Sequence, residues 1–98
     1  MSYFVLCTFD LRDASRQDYQ NAYADPEKLG LKRVVVSDKG NDVVIPTTTV
    51  AGTFKGTSAA SVAKDPADRV QAAFKARSFS SEVFVLVGGD WAWSGRTT

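Results

Sequence analysis

Apolar and polar positions fall in short blocks along this chain, and each block keeps one period. Residues 3–11 (YFVLCTFDL) read as a strand that is apolar on both faces. Tyr3, Val5, Cys7 and Phe9 point one way, and Phe4, Leu6, Thr8 and Asp10 the other. Strands of that kind are covered on both sides. The polar stretch 12–17 offers Asp13 and Ser15 as helix N-caps. Tyr19, Ala22, Tyr23 and Leu29 then recur at helical spacing, and Gly30 supplies a stop. Proline inside a helix loses a backbone bond and clashes with the preceding turn, at about 3 kcal/mol. Pro26 therefore predicts a kink or break, with Asp25-Pro26 reading as a fresh cap and first helical residue.

Residues 31–37 (LKRVVVS) predict a second strand, and Asp38-Lys39-Gly40-Asn41 a turn. A third strand starts at Asp42, and Pro46 marks an edge position or bulge between 43–45 and 47–54. The loop 55–61 leads to a second helix over 59–77, with Val62, Val70, Ala73 and Phe74 on one stripe. Asp65-Pro66 repeats the earlier pair and predicts a restart at Pro66. Residues 82–87 (EVFVLV) form a fourth strand that Gly88-Gly89 breaks, and 90–94 read as a short fifth strand.

The order is β-α-β-β-α-β in one domain over 1–98. Crossovers between parallel strands are right-handed, so both helices fall on one face of the sheet. That is the ferredoxin-like plan of the α+β class, a four-stranded antiparallel sheet with two helices on one face. Phe4 and Leu6 stand on the other face, with further apolar residues from the fourth strand. A monomer rarely leaves so much apolar surface in water. A homodimer packing sheet on sheet is expected.

Composition narrows the chemistry. The chain has 98 residues, 44% hydrophobic and 23% charged, which is ordinary for a folded domain. A net charge of +1 supplies no long-range pull toward phosphate or anionic lipid, so a nucleic-acid role needs a local basic patch. Cys7 is the single cysteine and cannot form an internal disulfide. There is no histidine, which removes Ser–His–Asp and Cys–His mechanisms and histidine-ligated zinc or haem. The N-terminal apolar run has no basic flank and is too short for a signal sequence, and nothing approaches 18 apolar residues. A cytoplasmic protein is expected.

The remaining candidates are carboxylates, hydroxyls and basic groups. Aspartate is a poor strand residue, so Asp10 at the end of an apolar strand is either a rim carboxylate or a plain strand terminator. Oxygen ligands suit Mg²⁺ or Mn²⁺, and few are needed where substrate phosphate supplies the rest. Arg12 and Arg16 flank Asp13, as surface ion pairs or as phosphate contacts. Trp91 and Trp93, followed by Arg96, form either a stacking platform for single-stranded nucleic acid or an aromatic anchor for the core or a partner.

Phe9-Asp10-Leu11 closing the first strand, Tyr19 and Tyr23 in the first helix, and Leu29-Gly30-Leu31-Lys32-Arg33 leading to Ser37 resemble the Cas2 and VapD group of small ferredoxin-like proteins. The resemblance covers residues 3–37. It implies a dimer that binds nucleic acid, with the family's metal-site aspartate at Asp10 and metal-dependent cleavage of phosphodiesters in some members. On that reading Asp10 holds Mg²⁺, and Arg12, Arg16, Arg33 and Arg96 meet phosphate. The alternative is a non-catalytic interaction module, of a phage or mobile element, acting through the open sheet face or the Trp91–Trp93 segment. A small-molecule enzyme using Asp or Tyr as base is a third class.

Overall fold

The computed structural model describes residues 1–98. β1 (Ser2–Leu11) runs up the middle of a three-stranded antiparallel sheet, between β4 (Thr49–Lys55) and β5 (Ser81–Gly88). α1 (Arg16–Lys28) and α2 (Ala59–Ala76) pack on one side of it. β2 (Val34–Val36) and β3 (Asp42–Val44) form a separate two-stranded hairpin. The molecule measures 37 × 36 × 18 Å, the thickness of one sheet and one helix layer. The α+β class and the mainly antiparallel pairing agree with the sequence pattern.

The period-two pattern of β1 sets the core. Tyr3, Val5, Cys7, Phe9 and Leu11 are all buried, against Ala22, Leu31, Val50, Val62, Val70 and Phe74. Phe9 meets Tyr23 and Phe74 edge-on, with ring centroids 5.5 and 5.3 Å apart. Only 14 of 98 residues are buried, so loss of one large core side chain removes a substantial share of the packing.

Four local expectations differ from the structure. First, the stretch 31–37 does not join the sheet as a full strand. Leu31 is drawn fully into the core, Lys32 makes one antiparallel bridge to Ala51, and pairing then passes to β3. Second, α1 continues through Pro26 to Lys28. Pro26 is buried, and Asp25 does not cap it because its carboxylate binds Arg77 at 2.6 and 2.9 Å. Third, α2 runs unbroken through Pro66, which is also buried, and Asp65 is taken by Arg69 one turn on, at 3.1 Å. In both helices the aspartate that signals a restart is engaged by an arginine instead. Fourth, 90–94 form no strand; the segment crosses over the sheet without a ladder.

The caps follow the sequence closely. Ser15, not Asp13, caps α1, in a capping box with Asp18. Ser58 caps α2 by accepting from the Ser61 N–H at 3.2 Å.

Candidate interaction surface

The helices leave one face of the three-stranded sheet without a covering layer. β1 presents Phe4, Leu6 and Thr8 there, and β5 presents Phe84 and Leu86. Register places Leu6 opposite Leu86 and Thr8 opposite Phe84, so the apolar side chains form a continuous stripe. Phe84 and Leu86 are 66% and 59% exposed, far more than large apolar residues in a closed core.

Two features turn this stripe into a groove. One is the C-terminal segment. Trp91 stacks on Phe4 with centroids 5.9 Å apart and planes at 24°, and Gly95 comes up against the Val43 side chain. The other is the β2–β3 hairpin, a separate two-stranded sheet joined to β4 through the Lys32–Ala51 bridge. Between them lies a cavity of about 480 Å³ whose walls include Leu6, Val43, Ile45, Leu86 and Trp93. Across the tryptophan segment a second cleft of about 730 Å³ is more polar, with Lys32, Ser37, Asp38 and Lys39 on its wall. Phe4, Leu6, Trp91 and Trp93 thus line one groove, joining the open sheet face and the tryptophan segment that the sequence offered as alternatives. The hairpin residues Val43, Val44 and Ile45 were not singled out as site residues. Their signal is an apolar run on each side of the turn at 38–41, which reads as two strands with an edge position or bulge at Pro46.

The groups proposed for phosphate chemistry are arranged differently. Asp10 is exposed at the rim, and its Oδ1 accepts from the Leu11 N–H at 3.1 Å. Glu82 lies directly opposite on β5, and Arg12 donates to Glu82 at 3.3 Å. No three His, Cys, Asp or Glu side chains converge as a metal-ligand group. Arg33 sits over the Tyr23 ring, 4.0 Å from its centroid. Arg96 bonds within its own segment, to Ser94 and to the Gly95 carbonyl. Arg16 opens α1, exposed. These four arginines make no bond to Asp10.

The other polar residues of note are structural. Tyr23 Oη accepts from the Thr48 N–H at 2.6 Å, holding the turn before β4, where Thr48 takes a φ of 61°. Tyr19 Oη donates to the Leu11 carbonyl at 3.2 Å. Burial pushes the Cys7 thiol up to about 11, far from the range of a reactive thiolate. No helix is long and apolar enough to cross a membrane. Comparison with family models, curated proteins and solved structures finds no match to this chain.

Proposed function

We propose that this protein is a non-catalytic protein-interaction module that docks through the open face of its sheet and the Trp91–Trp93 segment. The observation that carries this reading is the stripe of half-buried Leu6 and exposed Phe84 and Leu86, continued by Phe4 and the tryptophans into an apolar groove. Water-exposed apolar area of this kind is favourable to bury, at roughly 25 cal/mol per Å². Aromatic anchors beside a groove are the residue types that dominate protein interfaces. The ferredoxin-like description belongs to the same reading. It draws support from the Lys32–Ala51 bridge, which sets the β2–β3 hairpin beside β4, outside β1.

Photocross-linking tests it. A photoreactive phenylalanine analogue at Phe84 or Trp93 is expected to yield defined adducts, with a second copy or with another protein. The same group at Lys64, on the exposed side of α2, is expected to yield none. Leu86→Lys abolishes the adducts and Asp10→Ala leaves them intact. Adducts from Lys64 alone overturn the reading.

A second reading, the Cas2-like one, draws on the exposed Asp10 carboxylate at the sheet rim with Glu82 and Arg12 beside it. There Asp10 holds Mg²⁺ brought with a phosphodiester substrate. It requires Mg²⁺-dependent cleavage of RNA or DNA that Asp10→Ala removes. Equal cleavage by that variant discards it.

A further inference from the structure

β5 is an edge strand, and its free edge is unusually bare. The main-chain bond from Arg12 N–H to the Ser80 carbonyl, 2.9 Å, fixes the phase of the β1–β5 ladder. In an antiparallel pair every second residue couple exchanges both bonds. Glu82, Phe84, Leu86 and Gly88 therefore turn their N–H and C=O toward β1. Val83, Val85 and Val87 turn theirs outward, and no loop or side-chain bond engages them. Natural edges are protected by lysine, proline, a bulge or a covering segment. Between Val83 and Val87 β5 has no charge and no proline, and its pairing with β1 is unbroken. The chain beyond Gly89 does not cover the edge either, because it crosses the open face toward Phe4 and Val43.

We propose that a second copy of this chain completes that edge, β5 against β5, antiparallel about Val85. The sequence Val83-Phe84-Val85-Leu86-Val87 is nearly palindromic, and an isologous contact needs a self-complementary surface. In this register Val85 meets Val85 of the partner subunit, and Val83 meets the partner's Val87. The outward N–H and C=O groups of Val83, Val85 and Val87 on both strands then find partners. Phe84 lies beside the partner's Leu86, an aromatic–aliphatic cross-strand pair. The flanking surface permits the approach. The shallow groove between α2 and the edge is walled by Ala67, Gln71, Ser81 and Val83, and its one charge, Asp68, is tied to Lys64 at 2.5 Å.

The proposal goes beyond the interaction reading by using the edge. The two open faces merge into one longer surface and stay free for a partner.

Amide hydrogen exchange with sedimentation distinguishes the two ideas. The chain is expected to sediment at twice its 10.6 kDa mass, with the Val83, Val85 and Val87 amides as protected as those of Phe84 and Leu86. Dilution to monomer removes protection from the three valines alone. Val85→Pro deletes one outward N–H at a position where an edge strand tolerates proline, and is expected to sediment at 10.6 kDa while retaining the face cross-links from Trp93. If that variant does not fold, the exchange pattern of the unaltered chain decides. A monomer at all concentrations, or a dimer whose valine amides exchange freely, overturns the edge pairing. The second outcome leaves the open-face reading standing.

Discussion

Trp91 lies over Phe4 with ring centroids 5.9 Å apart, 87 positions apart in sequence, and this stack pins the C-terminal segment across the open sheet face. Both residues line the two cavities that the segment separates. Offset aromatic pairs contribute about 0.5–1.5 kcal/mol beyond area burial. Phe4→Ala in a Trp93→Phe background is expected to shift Trp91 emission to the red and to speed proteolysis after Gly89. Unchanged emission means the stack does not hold the segment.

Asp25 and Arg77 join the ends of the two helices, and their pair makes stability pH-dependent. The Arg77 guanidinium, through hydrogen bonds and then charge, holds the Asp25 carboxyl below the usual aspartate range, against an opposing effect of burial. A folded value below the unfolded one means stability present above about pH 4 and lost as pH falls through the folded value. Asp25→Asn is expected to flatten that acid limb. Urea titrations at neutral pH and near pH 3 check it, and an equal loss in both proteins refutes the link.

Cys7 is fully buried and its thiol sits at about 11. Ellman's reagent is expected to leave it unmodified in the native protein and to label it fully in guanidinium. Cys7→Ser introduces a buried hydroxyl and is expected to cost about 1–3 kcal/mol if the hydroxyl finds no partner. Rapid native labelling contradicts the burial.

Gly52 is where β4 passes closest to the turn after α1. A Cβ there would fall 2.1 Å from the Gly30 carbonyl oxygen, a backbone atom that cannot swing aside. Gly52→Ala is expected to destabilise the protein by about 1–3 kcal/mol in chemical denaturation. Gly88→Ala meets nothing within 4 Å and serves as the near-neutral control. Equal effects at the two positions remove the steric explanation.

Much of this fold is legible locally. The spacing of Tyr3, Val5, Cys7 and Phe9 identifies the core face of β1; Ser15 is one of the two caps the sequence offers for α1, and α2 begins at residue 59, as its pattern predicts. The candidate surface was legible in part, through Phe4, Leu6 and the tryptophans. The breaks expected at Pro26 and Pro66 are absent: both prolines are buried within their helices, and each preceding aspartate binds an arginine instead of capping a new helix. Arg69 is a helical turn from Asp65, but Arg77 is 52 residues from Asp25 and meets it only when α2 folds beside α1. The Trp-Ala-Trp alternation reads as a strand, yet a strand needs an edge to pair with, and this segment crosses a face.

The sequence by itself determined the elements and their inward faces, since periodicity and capping are properties of neighbouring residues. Only the tertiary structure decided that β2 and β3 form a separate two-stranded sheet, that Asp10 faces Glu82 and its own backbone, and that β5 keeps a bare edge. Those outcomes depend on which distant strands align and in what register, and no local pattern encodes that choice.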